Sequence, residues 1–85
     1  MISYDLIAPN RNYDKLYDGI KNYGTWARIN ESLWIIKSDD TSTQIRDNLK
    51  SFIDENDKLI VAKLSGEGAW FNLSDEISKW LKSNL

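Results

Sequence analysis

Apolar and polar side chains alternate over residues 2–7, the first patterned segment of the chain. Ile2, Tyr4 and Leu6 fall on one side, and this period of two predicts a short β-strand with one face toward a core. The other side carries Asp5, the one charged residue of the segment. The proline that follows has no N–H for a ladder hydrogen bond, so we expect the strand to end before it.

The pattern then changes to a helical period and returns to alternation. Over 13–23 apolar residues recur about every 3.6 positions, which predicts an amphipathic helix with Asn12 as its N-cap and Gly24 after its end. The alternation that follows predicts two strands at about 25–30 and 33–38, joined by a tight turn or bulge. One long bent strand is the alternative interpretation of this segment.

A helix-start signal opens the second half of the chain. Thr41 and Gln44 have the spacing of a capping box, in which each side chain satisfies a backbone N–H at the start of a helix. The apolar stripe over 45–53 supports that helix, and the β-branched run over 58–64 predicts a further strand. A last apolar stripe predicts a third helix over about 74–83.

The predicted order of elements is β-α-β-β-α-β, with a helix added at the C-terminal end. A length of 85 residues, 41% of them hydrophobic and 28% charged, suits one globular domain with a modest core. We therefore predict an α+β, ferredoxin-like βαββαβ sandwich as a single domain over 1–85. Its core would lie at about 1–64, and a helical extension at about 72–85.

Composition removes several kinds of chemistry. The chain has no cysteine and no histidine, which excludes disulfides, thiolate metal sites and any Ser-His-Asp or Cys-His catalytic system. A bound metal would need oxygen ligands, as Mg²⁺, Mn²⁺ and Ca²⁺ do. No apolar run approaches the roughly 20 residues that cross a membrane. The first residues are too polar for a signal peptide, so we expect a cytoplasmic protein without membrane association.

Short motifs in the first two-thirds of the chain resemble one family. They are the strand Ile-Ser-Tyr-Asp-Leu at 2–6, the pair Tyr23 and Gly24, the segment Ile-Asn-Glu-Ser-Leu-Trp at 29–34, and the strand at 58–64. Together they are similar to the small CRISPR-associated protein of the spacer-acquisition complex and to its relatives among the virulence-associated protein D toxins. The resemblance implies a ferredoxin-like homodimer whose two sheets pack face to face. It also implies a metal-dependent endonuclease acting on RNA or DNA.

Carried onto this sequence, the resemblance makes Asp5 the catalytic and metal-binding residue, close to its symmetry mate and served by Mg²⁺ or Mn²⁺. It places Asn30, Ser32 and Trp34 near that aspartate or at the interface. Two features depart from the family pattern. The arginines after the first strand are reduced to Arg11, and the C-terminal region is predicted to be helical.

The residues leave a second class of function open. Arg28, Arg46 and Arg11 are the candidates for nucleic-acid binding, since a guanidinium binds phosphate through two parallel hydrogen bonds. The net charge of −2 and the lack of a basic cluster favour instead a non-catalytic dimeric adaptor or regulatory module with a protein partner. Exposed tryptophans would form its interface. Asp5 would then be a strand-end carboxylate that accepts hydrogen bonds from the backbone of the following loop.

Overall fold

A computed structural model describes residues 1–7 and 12–85 of the chain. The elements in this part are β1 (Ile2–Asp5), α1 (Asp14–Lys21), β2 (Thr25–Asn30), β3 (Leu33–Lys37), α2 (Ser42–Lys50), β4 (Lys58–Val61) and α3 (Asp75–Asn84). The predicted α+β class is confirmed, because the described residues combine one antiparallel sheet with three helices. Arg11, a predicted nucleic-acid contact, lies outside the described residues. None of the described helices has the length and apolar content needed to span a bilayer.

The four strands lie in the order β2-β3-β1-β4, and every pairing is antiparallel. β1 is therefore an inner strand, with Ile2 opposite Trp34 of β3 on one side and opposite Val61 of β4 on the other. Asp5, the last residue of β1, is opposite Lys58, the first residue of β4. Because β1 is paired along both edges, its position in the sheet fixes where the backbone of Asp5 stands.

β1 and β4 are shorter than their apolar patterns predict. The alternation continues to residue 7, but the ladder ends at Asp5, which is therefore the end of the strand and not a residue within it. β4 likewise ends at Val61, although the apolar run continues to residue 64. Apolar side chains pack beyond the last ladder bond, as Leu6 does against the core, so their pattern overestimates strand length. β2 and β3 are two strands and not one bent strand.

The main core lies between one face of the sheet and the helices α1 and α2. Its buried members are Ile2, Tyr4, Leu16, Ile20, Trp34, Ile45 and Leu49. Strand β1 contributes Ile2 and Tyr4 to this core, because residues two apart on a pleated strand point to the same face. Burial of large apolar side chains, at roughly 1.5–3 kcal/mol for each, is the main stabilising term for so small a domain.

α3 covers part of the opposite face of the sheet. Ala27 and Leu81 are both buried but lie outside the main core cluster, and α3 contacts β2. The pleat turns Ala27 away from the main core, toward the face on which α3 contacts β2. The half of this face formed by β1 and β4 stays open to solvent, with Asp5 exposed and Ile60 57% exposed.

The helix starts follow local sequence signals. The predicted capping box of α2 is confirmed, since Thr41 Oγ1 accepts from the N–H of Gln44 at 3.1 Å and the N–H of Thr41 donates to Gln44 Oε1 at 2.8 Å. At α1 the N-cap position is Tyr13 and not the predicted Asn12. Asn12 still contributes, because its Oδ1 accepts from the N–H of Asp14 at 2.8 Å.

Candidate functional site

Asp5 borders an open recess at the end of β1. The walls come from β1, α1, β2 and the turn between β2 and β3, and the lining residues are Tyr4, Asp5, Leu6, Tyr17, Arg28, Glu31 and Ser32. The recess therefore brings the guanidinium of Arg28, hydroxyl groups and aromatic rings to one place, with Asp5 at its border. These groups come from segments that are distant in sequence and adjacent only because β1 lies beside β3.

The turn between β2 and β3 is shaped by hydrogen bonds to Asn30. Its Oδ1 accepts from the N–H of Ser32 at 3.0 Å and, more weakly, from the hydroxyl of Ser32 at 3.4 Å. The turn is also attached to β1, because the N–H of Tyr4 donates to the carbonyl of Ser32 at 3.1 Å. Ser32 is therefore held beside the end of β1.

The hydroxyl of Tyr4 connects the core to the same turn. It accepts from Trp34 Nε1 at 2.9 Å and donates to the carbonyl of Glu31 at 2.7 Å. Trp34 is fully buried, so this is the partner that its indole N–H needs away from water. Burial raises the pKa of Tyr4, an effect that the Trp34 hydrogen bond and the charge of Arg28 partly oppose. The phenol therefore stays protonated at neutral pH.

The guanidinium of Arg28 is held over two aromatic rings. Its central carbon lies 4.8 Å from the ring centre of Tyr17 and 5.0 Å from that of Trp34. Nη2 donates to the carbonyl of Glu31 at 3.0 Å, the same oxygen that accepts from Tyr4. Nε is buried and has no hydrogen-bond acceptor within the described chain. Arg28 is thus fixed in direction before any ligand binds.

Asp5 is exposed and borders the recess, and the pleat turns its side chain toward the open face of the sheet, away from Tyr4. Within residues 1–7 and 12–85, no hydrogen bond or ion pair engages its carboxylate, although Lys58 is its ladder partner. Asp5 also borders a shallow depression on the open face, beside Ser3 and Ile60. Those same residues contain no group of three or more acidic, His or Cys side chains placed to hold a metal ion. One carboxylate suits an ion that keeps most of its waters, as Mg²⁺ does.

A different aspartate fastens the segment that follows β1. Asp57 Oδ1 accepts from the N–H of Ile7 at 2.8 Å. Its Oδ2 accepts from the hydroxyl of Tyr13 and from the N–H of Asp54, each at 2.8 Å. This is the backbone-binding role that the sequence offered as the alternative for Asp5. Asp57 fills it because it precedes β4 directly and so lies beside the end of β1.

The residues predicted from sequence divide between the recess and the rest of the surface. Arg28 and Ser32 line the recess with the aspartate, and Trp34 supports it from the core side. Arg46 stands apart, because it is exposed on α2 and pairs with its neighbour Asp47 at 2.9 Å. Of the predicted nucleic-acid contacts that the structure describes, only Arg28 belongs to the recess.

Sequence reasoning missed the contributions of Tyr4, Tyr17 and Glu31. The apolar patterns of β1 and α1 predict core positions for the two tyrosines, which accounts for their rings but not for their positions beside Arg28. Glu31 contributes its backbone carbonyl, which no side-chain pattern can reveal. One signal was available: Arg28 shares the side of its strand with Trp26, which contacts Trp34 at 5.3 Å between ring centres. An arginine on the inward side of a strand needs partners, and here they are aromatic rings.

A more enclosed cavity of about 520 Å³ lies at the other end of the sheet. It is bordered by the start of β1, the end of β3, the first turn of α2 and the last residues of α3. Among residues 1–7 and 12–85, none of the predicted site residues lines it. The recess at Asp5 therefore remains the candidate functional site.

No protein-family model matches the chain, and no solved structure matches it.

Proposed function

We propose that this chain is a small nucleic-acid-associated protein of the ferredoxin-like βαββαβ type, extended by a C-terminal helix. It acts as a homodimer and is a metal-dependent endonuclease in which Asp5 holds the metal ion. One observation carries the proposal: the exposed Asp5 borders the same recess as Arg28 and Ser32. Phosphodiester hydrolysis uses a carboxylate that binds a cation together with a group that binds the phosphate, and Asp5 and Arg28 are residues of these two kinds at the border of one recess.

The topology supports the ferredoxin-like assignment. In a βαββαβ chain with two interleaved βαβ units, the first and third strands are the inner pair and all neighbours are antiparallel. The strand order β2-β3-β1-β4 has this form. β1 is then an inner strand whose end supplies the site residue.

The donor set fits a hydrated Mg²⁺ or Mn²⁺ ion. Mg²⁺ commonly binds through one or two carboxylates and keeps several waters, and Asp5 offers one exposed carboxylate. A second copy of the chain would bring the second, which is why the proposal includes a dimer. A bound ion supplies an activated water and neutralises charge at the phosphate. In this arrangement Asp5 holds the ion, while Arg28 orients the phosphate group.

A non-catalytic adaptor is the second candidate. Phe71 is 93% exposed and Ile60 is 57% exposed, and apolar side chains this exposed favour contact with a protein partner. Asp5 would then have no part in any reaction. Substitution of Asp5 therefore separates the two candidates.

Cleavage of single- and double-stranded RNA and DNA with Mg²⁺ or Mn²⁺ tests the enzyme. We expect Asp5→Asn to lower the rate at least about 100-fold, since even indirect supports of a metal ligand cost up to that factor when removed. Asp39→Asn is the matched control, because Asp39 is exposed and does not line the recess. Equal rates for wild type and Asp5→Asn would refute the enzyme.

Sedimentation tests the dimer separately. A homodimer at micromolar concentration is the expected result, and it should persist in Asp5→Asn if the interface does not depend on the metal. A monomer at that concentration would contradict the shared site.

A further inference from the structure

Arg28 carries a positive charge without a partner carboxylate in the described part of the chain. Asp5 and Glu31 border the same recess, yet neither forms an ion pair with its guanidinium. Arg46, in contrast, is paired with Asp47 on the surface of α2. Partly buried charges are normally paired, since removing them from water is costly. The open recess beside Arg28 therefore leaves its positive charge available to an anionic ligand.

The guanidinium is already ordered for such a ligand. The rings of Tyr17 and Trp34 hold it at 4.8 Å and 5.0 Å, and the carbonyl of Glu31 accepts one of its hydrogens at 3.0 Å. Cation–π contacts of this kind orient a guanidinium without using its in-plane donors. Folding has therefore already ordered the side chain, and a ligand meets donors that need not be reorganised.

Further donors border the same recess. The hydroxyl of Ser32 donates to Asn30 Oδ1 over a long distance of 3.4 Å. A ligand oxygen that accepts more strongly could take over this hydrogen. The hydroxyl of Tyr17 has no hydrogen bond to the described residues, and its ring already contacts Arg28. A guanidinium and two hydroxyl donors around an open recess match an oxyanion that offers several acceptor oxygens.

We propose that this recess is a phosphate subsite, in which Arg28 binds a single phosphate group of a nucleic-acid strand and the hydroxyls of Ser32 and Tyr17 assist. The strand as the source of the phosphate rests on the proposed function; the subsite itself rests on Arg28 and its surroundings. Two acidic residues, Asp5 and Glu31, also border the recess, and their negative charges disfavour a second anionic group. The subsite therefore takes one phosphate, not a run of them.

Substitution of Asp5 should have opposite effects on phosphate binding and on cleavage. In EDTA, Asp5 repels the phosphate, so Asp5→Asn should strengthen binding by up to about fivefold, the range of one exposed charge pair. The same substitution should abolish cleavage. Binding without any cleavage would uphold the subsite and overturn the enzyme, so the two failures are distinguishable.

Inorganic phosphate is the first probe. The chain has three arginines, Arg11, Arg28 and Arg46, so a ¹H–¹⁵N spectrum contains at most three Nε–H signals. Arg28→Lys identifies its signal by removing it, and the buried Nε makes that signal resistant to exchange with water. We expect phosphate to shift this signal and leave that of Arg46 in place. Chloride at equal ionic strength should shift neither.

A single-stranded RNA or DNA oligonucleotide in EDTA is the second probe. Arg28→Gln should weaken binding at least about tenfold, as loss of a charge-assisted contact does. The slope of log affinity against log salt concentration should become shallower by about 0.7, which is the contribution of one phosphate contact on a single strand. Arg46→Gln removes the same charge from an exposed ion pair and should change affinity less than about twofold.

Three results would overturn the subsite. One is an Arg28 Nε–H signal that ignores phosphate at tens of millimolar. Another is equal loss of strand affinity in Arg28→Gln and Arg46→Gln. If Arg28→Gln fails to fold, Ser32→Ala and Tyr17→Phe remove only hydroxyls, and unchanged phosphate affinity in both would also refute the arrangement.

Discussion

The close approach of α1 to the segment after α2 makes Gly19→Ala a sharp test of the packing. Gly19 is buried in α1, and a Cβ placed there would lie 2.8 Å from Phe52 Cε2 and 3.1 Å from Phe52 Cδ2. It would also lie 3.4 Å from Leu49 Cδ2, an ordinary contact. Carbon atoms do not approach to 2.8 Å, so either the ring of Phe52 or the helix must move.

Two opposing terms decide the result. In an unhindered helix Gly→Ala stabilises by about 1 kcal/mol, because alanine restricts the unfolded chain and favours helix. Overpacking a filled site costs about 1–3 kcal/mol. The expected net effect is a loss of up to about 2 kcal/mol. For a domain of this size each kcal/mol lowers Tm by about 4–8 °C.

A double-mutant cycle with Phe52→Leu isolates the contact. Leucine removes the ring edge that the new Cβ would meet, so Gly19→Ala should become neutral or stabilising in that background. The coupling energy should equal the relieved overpacking, about 1–3 kcal/mol. Urea unfolding followed by tryptophan fluorescence and far-UV circular dichroism measures all four variants.

The refuting result is specific. If Gly19→Ala raises stability equally in both backgrounds, a Cβ at Gly19 does not come within 2.8 Å of the Phe52 ring. The glycine would then be replaceable, and α1 would lie farther from α2.

Two further predictions concern the buried hydrogen bond between Tyr4 and Trp34 and the hydrogen bonds that Asp57 accepts after β1. Tyr4→Phe leaves the buried N–H of Trp34 without its acceptor and should cost about 1–3 kcal/mol in urea unfolding. Burial raises the pKa of Tyr4 from its ordinary 10.0, so its contribution to stability is complete below pH 10 and is lost as pH rises through the folded value. Wild type should therefore lose stability above pH 10 more steeply than Tyr4→Phe, and equal slopes would count against burial of the phenol. Asp57→Asn should cost about 1–3 kcal/mol because the carboxylate accepts from Ile7, Tyr13 and Asp54. Asp39→Asn, an exposed control, should change the free energy of unfolding by less than about 0.5 kcal/mol. An equal loss of stability in both variants would contradict the stabilising role of the Asp57 hydrogen bonds.

Local signals predicted the elements that depend on neighbouring residues. The capping box of Thr41 and Gln44 needs only four consecutive residues, and its two hydrogen bonds form as expected. The inward side of β1 followed from alternation, since Ile2 and Tyr4 are buried. Element ends were less predictable, because a strand ends where its partner ends. β1 stops at Asp5 because β4 begins at Lys58, and nothing within 2–7 encodes that register.

Prediction of the site also requires knowing which strands pair with each other. Asp5 could be singled out as a carboxylate in an apolar strand, and Arg28 as a phosphate-binding candidate. That the two border one recess follows from the pairing of β1 with β3, which brings the β2–β3 turn to the end of β1. The stacking of Arg28 on Tyr17 also requires α1 to lie over this part of the sheet. Sequence patterns indicate which face a residue occupies, but not which residue of another element it meets.

Arg28 is held in place by its neighbours, whereas the carboxylate of Asp5 is not, and this difference decides what a single chain can bind. Arg28 is held by two rings and a carbonyl, and Tyr4 and Trp34 tie that carbonyl to the core. The carboxylate of Asp5 has no such support among the described residues. A fixed guanidinium can bind a phosphate within one chain. A lone unsupported carboxylate orients a metal ion poorly, because ligand direction depends on surrounding hydrogen bonds. Phosphate binding should therefore survive in a monomer, whereas the proposed cleavage at Asp5 should require the second chain to complete and orient the site.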